Sequence, residues 1–174
     1  EAQRRADEAR GEVYRLNQRI RTLEAQLKSM ADSNVELPFP SDLDELKDWA
    51  DKHLSGSVIL LNRALRGAKE SDYEEPVLVF RALLLLRDYY VPMRRDGGEE
   101  LKKAYAEALA SHGLEEAGSI ATSRRGEQGD EYLVQHSGRK RELDRHFRKG
   151  SSRESRHCFR LYFFWDDEDE QVVV

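Results

Sequence analysis

Apolar residues at Ala2, Ala6, Ala9, Val13, Leu16, Ile20, Leu23, Leu27 and Met30 recur with spacings that alternate four and three. This period predicts one long helix over residues 1–33 with a narrow apolar seam. Val13, Ile20 and Leu27 occupy the a positions, and Leu16, Leu23 and Met30 the d positions. β-Branched residues at a with leucine at d favour a parallel two-stranded coil. The remaining positions are nearly all polar, so the helix has no second face to bury and gains little alone in water. Gly11 sits at an outer position and weakens the helix by about 1 kcal/mol without breaking the pattern. Residues 34–40 then form an elbow, because Pro38 and Pro40 fix their own φ and keep Leu37 and Phe39 extended.

From Ser41 the pattern changes to shorter amphipathic stretches. Ser41 reads as an N-cap with Asp44 in the capping-box position, followed by Leu43, Leu46, Trp49, Ala50 and Leu54 on one face. After Ser55-Gly56-Ser57, Val58, Ile59, Leu61 and Leu65 predict a second helix toward Gly67. A third, from Pro76 to Tyr90, is the most apolar element, and Val77, Phe80, Leu83, Leu84 and Leu86 mark it as the central core helix. Arg81 and Arg87 mark where it reaches solvent, and Pro92 is expected to end it. Gly97-Gly98 separates a fourth helix with Leu101, Ala104, Tyr105 and Ala108 inward. Tyr89-Tyr90 and Arg94-Arg95 read as a core edge rather than a binding rim. Residues 41–118 are therefore expected to be a helical unit.

A β-rich character is expected over residues 119–174. Tyr132 to Val134 reads as a short strand, whereas Arg139 to Phe147 fits helix and strand equally, since Leu143 and Phe147 share a face in either. Phe159, Leu161, Phe163 and Trp165 then alternate with Arg160, Tyr162 and Phe164, and the acidic run Asp166 to Glu170 leads into Val172 to Val174. That is a β-hairpin with both faces largely covered. Because the valines carry no turn or cap after them, the unit reads as part of a longer protein. The acidic run lacks the glycine-assisted turn and spaced ligands of a calcium loop, so it reads as a solvated tip able to hold basic residues. The expected fold is α+β, mainly α, with a parallel coiled coil, a helical middle unit and a small antiparallel β unit.

Composition narrows the function classes. One cysteine, Cys158, allows neither an internal disulfide nor a cysteine-based zinc site, and it reads as a small buried residue. No apolar run approaches the length a bilayer needs, and no signal peptide opens the chain, so a cytoplasmic protein without a membrane partner is expected. The net charge is −5, but it is unevenly spread: Arg124 to Arg160 carries +5 and the remainder −10. That basic stretch includes Arg139, Lys140, Arg141, Arg145, Arg148, Lys149, Arg153, Arg156 and Arg160, the candidate nucleic-acid-binding residues. His136, His146 and His157 are its candidate acid–base groups, since imidazole titrates near neutrality and neighbouring guanidinium groups suit a phosphate. No phosphate-binding glycine loop or nucleophile elbow is present, and neither metal nor cofactor is called for.

The order "LDRHFRKG…RHCFRLYFFWDDEDEQVVV" resembles the closing part of RelE-like toxin domains, over about Arg139 to Val174. There, a loop precedes a strand carrying arginine and aromatic residues, then an acidic turn and a valine-rich final strand. The resemblance implies an RNA-binding, often ribosome-dependent ribonuclease built without metal, in which the arginines and histidines of this segment bind phosphate and move protons. The coiled coil and helical unit that precede it depart from that family. Two functions follow as expectations. The first is a homodimeric coiled-coil module whose basic β unit binds a partner, either RNA or another protein. The second is a RelE-like RNA-cleaving or translation-inhibiting effector.

Overall fold

The computed structural model describes residues 39–118, 132–151 and 153–174. The heptad segment with Val13, Leu16, Ile20, Leu23, Leu27 and Met30 lies outside the described residues, as does most of the elbow. The chain divides into a unit Glu1–Phe39 and a compact unit Pro40–Val174. The second is α+β. Its helices are α1 (Leu46–His53), α2 (Asn62–Lys69), α3 (Pro76–Leu85), α4 (Val91–Asp96) and α5 (Glu99–Ser111), and its strands are β1 (Val58–Ile59), β2 (Glu115–Gly118), β3 (Leu133–His136), β4 (Arg139–Glu142), β5 (Arg145–Lys149), β6 (Phe159–Asp166) and β7 (Gln171–Val173).

Five strands form one sheet in the order β1-β7-β6-β5-β2, and β3 pairs with β4 in a separate hairpin. Both β1 and β2 come from the stretch expected to be helical, so residues 41–118 and 119–174 build the same sheet. β1 runs parallel to β7, which makes the sheet mixed rather than purely antiparallel. Val58 and Ile59 are thus strand and not helix. Gly56 turns the chain at φ +76°, and the Val172 and Val174 amides donate to the carbonyls of Ser57 and Ile59. Burial of Val58 beside Val172 outweighs the helical spacing of so short an apolar run.

Two further departures have local causes. Ser41 is not a cap, because α1 begins at Leu46 and the Asp42 carboxylate instead accepts the Asp44 amide. Pro92 does not end the third helix. Leu86–Tyr90 form a π-turn between α3 and α4, with the Val91 amide donating to the Leu86 carbonyl. Such a turn widens the helix where the Pro92 ring would meet the carbonyl four residues earlier, so one rod continues to Asp96. Arg139 to Phe147 resolves into strand, as β4 and β5 with a break at Leu143 and Asp144.

The two faces of β6 are covered by different layers. On one, Phe159, Leu161 and Phe163, with Phe147 of β5, are buried with the helical rod and α5. Tyr90 meets Phe163 edge-on at 5.2 Å, and Tyr105 lies 6.5 Å from Phe147. On the other, Phe164 and Val173 pack with Val134 of β3 and with Leu143 just after β4, flanked by Leu61 and Tyr162. Alternation along β6 therefore serves two cores, which is why its sequence is aromatic on both faces.

Candidate functional site

Most of the basic stretch is tied to carboxylates of the same chain. Arg145 reaches Glu116 at 2.9 Å and Arg148 reaches Glu115 at 2.7 Å, both across the β2–β5 pairing. Lys149 pairs with Glu75 at 2.9 Å, Arg156 with Glu74 and Glu154, and Arg139 with Glu168 at 2.6 Å. Arg141 lies 3.8 Å from Asp166 and caps the Phe164 ring at 4.7 Å. Arg160 donates instead to the carbonyls of Phe159, Lys149 and Gly150. Lys140 and Arg153 are exposed. Because Glu74, Glu75, Glu115 and Glu116 all precede the basic stretch, its +5 charge is largely met by the acidic remainder.

The three histidines do not converge. His157 precedes the start of β6, His146 faces Tyr162 in its middle, and His136 bonds Asp166 at its end. At the usual strand rise, β6 separates its ends by roughly 23 Å. His157 stands 3.4 Å from Glu74 and is exposed. His136 Nε2 lies 2.8 Å from Asp166 Oδ2, with its ring against Phe164.

Asp166 was expected in a solvated tip, yet it is 2% exposed. It continues the β6 alternation on the side of Tyr162 and Phe164, and that period is the signal that sets it apart from Asp167 to Glu170. Its carboxylate meets His136 and Arg141 and accepts the Glu168 amide, so the tip holds the β3–β4 hairpin against the sheet. Ligand atoms of His136, Asp166 and Asp169 lie within 4.8 Å of one another, a spacing that suits a cation. The Arg141 charge already occupies one side of that group. At the core edge, Tyr90 is buried while Arg94 covers the Trp165 ring at 5.3 Å, and Arg95 donates to the carbonyls of Glu170 and Gly56.

His146 is the one candidate in a chemically distinctive place. Its ring lies 5.0 Å from that of Tyr162, and its Nδ1 is buried without a hydrogen-bond partner. Burial, and then the Arg160 and Arg148 charges, hold its pKa below the usual histidine value. The unfolded chain consequently takes up a proton that the native state resists, so this residue lowers stability as pH falls through its unfolded pKa, about 6.5. Urea unfolding at pH 7.5 and 5.5 should show a smaller acid loss in His146→Phe than in the wild type. An equal loss in both would remove His146 from the acid response.

Beside the first half of β6, a cavity of about 430 Å³ opens between α2, the β3–β4 hairpin, Val79 and Leu83 of α3, and Leu43 and Leu46 around the start of α1. Its walls are mostly leucine, alanine and tyrosine, with Arg63 and Arg160 as the charged members. Tyr73 lines it, and burial pushes its phenol up to about 12, so the hydroxyl stays protonated. Among the described residues, no helix is long and apolar enough to cross a membrane. Comparison with protein-family models, curated proteins and solved structures finds no match for this chain.

Proposed function

We propose that this chain is a homodimeric interaction module, in which residues 1–33 form a parallel coiled coil and the α+β unit binds a protein partner in the cytoplasm. The heptad seam supports the dimer. The observation that carries the choice of partner is the fate of the basic stretch. Arg139, Arg141, Arg145, Arg148, Lys149 and Arg156 all stand beside carboxylates of their own chain. Cations so placed have less free charge for the counterion release that drives nucleic-acid binding. No cofactor or metal is called on. A dimer also gains avidity, because two linked weak sites bind more tightly without new contacts.

The coil is tested by Ile20→Lys with Leu23→Lys, which puts two charges into the seam. Sedimentation equilibrium should give the monomer mass for the variant and the dimer mass for the wild type. A variant that remains dimeric would place self-association elsewhere.

A second reading, an RNA-cleaving effector of the RelE-like kind, is favoured by one observation, the setting of His146. A neutral imidazole near the paired Arg148 and Arg160, with its ring against Tyr162, combines a proton acceptor with two cations of a kind that suits a phosphate. In that reading His146 takes the proton of a ribose 2′-hydroxyl as its oxygen bonds to the adjacent phosphorus, the bond from phosphorus to the 5′-oxygen breaks, that oxygen takes a proton from water, and the guanidinium groups hold the charged phosphate.

A further inference from the structure

The far end of β6 gathers an imidazole and two carboxylates from separate places in the chain. His136 is the last residue of β3, Asp166 the last of β6, and Asp169 lies in the turn before β7. One ligand atom from each stands within 4.8 Å of the other two. The histidine precedes Asp166 by 30 residues, so no local spacing in the sequence marks the group.

The two oxygens of Asp166 have different partners. Oδ1 accepts the Glu168 amide at 3.2 Å and faces Arg141 at 3.8 Å. Oδ2 meets His136 Nε2 at 2.8 Å. The amide and the arginine thus orient the carboxylate from behind, as the outer partners of metal ligands do, and leave Oδ2 toward the imidazole. The imidazole is held in turn by Phe164, edge to face at 5.7 Å. Both side chains are nearly covered, at 10% and 3% exposure, so a ligand that joins them must be small.

Asp169 is the exposed member, and it differs from its neighbours in the acidic tip. Arg94 lies 3.7 Å from Asp167 and Arg139 lies 2.6 Å from Glu168, whereas among the described residues no cation pairs with Asp169. Its Oδ2 accepts a long bond of 3.4 Å from the Gln171 side-chain amide. An uncancelled negative charge therefore stands beside an imidazole and a buried carboxylate.

We propose that His136, Asp166 and Asp169 bind a divalent cation of the zinc class, which fastens the β3–β4 hairpin to the end of β6. Imidazole among carboxylates suits zinc and its transition-metal neighbours, whereas calcium and magnesium take oxygen ligands. Two ligand atoms of one zinc ion stand at most about 4.2 Å apart, twice the usual bond length. The exposed turn that carries Asp169 has to close by about 0.6 Å at most to reach that limit. Coordination through Nε2 releases to water the proton this nitrogen shares with Asp166. A water molecule fills the fourth position of the tetrahedron. The site adds to the protein-binding reading and does not depend on it.

The test strips the full chain with EDTA, exchanges it into chelator-free buffer and titrates zinc chloride by calorimetry. Cobalt(II) replaces zinc in a parallel titration followed by visible absorption. One ion per chain is expected, with the intense visible bands of four-coordinate cobalt, and zinc should raise the urea midpoint. Asp169→Ala, at an exposed position, should fold as the wild type does and lose about a hundredfold or more in affinity. His136→Gln should abolish the cobalt bands. Glu168→Gln and Glu170→Gln in the same tip, and His157→Gln beside Glu74 and Glu154, should bind as the wild type does. A wild type without a one-to-one zinc site would overturn the proposal, as would unchanged affinity in Asp169→Ala and His136→Gln. So would calcium binding as tightly as zinc with equal losses in Glu168→Gln and Glu170→Gln, which would reduce the effect to general attraction by the acidic tip.

Discussion

Phe163→Ala is expected to cost about 3–5 kcal/mol of stability, the range for emptying a buried aromatic site. Phe163 is fully buried in β6, with β5 on one side. Its ring meets Tyr90 at 5.2 Å and Phe147 at 5.0 Å, both edge-on, so it joins the helical rod to the two central strands. Aromatic contacts of this geometry add to plain area burial. Because domains of this kind are stable by only about 5–15 kcal/mol, the loss is a large share of the total. Urea unfolding followed by fluorescence of Trp49 and Trp165 measures it. Tyr89→Ala, at a residue 41% exposed, should change the stability by less than about 0.5 kcal/mol. Equal effects from the two would show that the helix–sheet core is not where stability resides.

The second large effect is expected at Asp166. Removing one member of a buried charged group leaves its partners uncompensated, at a cost of about 3–5 kcal/mol when all are buried. Here His136 is nearly covered but Arg141 is partly exposed, so Asp166→Ala should lose about 2–3 kcal/mol. Asp166→Asn keeps an acceptor for the Glu168 amide and should lose less. Glu168→Ala removes only the exposed pair with Arg139 and should lose less than about 1 kcal/mol. Chemical denaturation ranks the three. If Asp166→Ala proved no worse than Glu168→Ala, the acidic tip would not anchor the β3–β4 hairpin.

The β6–β7 hairpin was legible because a period of two ran unbroken from Phe159 to Trp165 and the valines followed the acidic turn. The core helix from Pro76 was legible from its proline start and its apolar circumference. Leu143 and Phe147 were ambiguous for a physical reason: a spacing of four returns to the same face at either period. Val58 and Ile59 were unreadable as strand because two residues carry no period and their partner Val172 lies far along the chain. Pro92 misled because an i→i+5 turn accommodates a proline without leaving a mark in the apolar pattern. At the candidate site, residue types were readable but pairings were not. That Arg145 meets Glu116 and Arg148 meets Glu115 follows from the β2–β5 register, and β2 itself lay in a stretch read as helical.

The decisive measurement is anisotropy of a short labelled RNA against the full chain at ~50 mM and ~200 mM salt, with each sample run on a gel. Cations engaged by their own chain should give no saturable binding at the lower salt and leave the RNA intact. Binding that falls about a thousandfold between the two salts would instead show several phosphate contacts and contradict the assignment of the basic stretch to internal pairing. RNA cut by the wild type but not by His146→Ala would replace the interaction module with the RNA-cleaving effector.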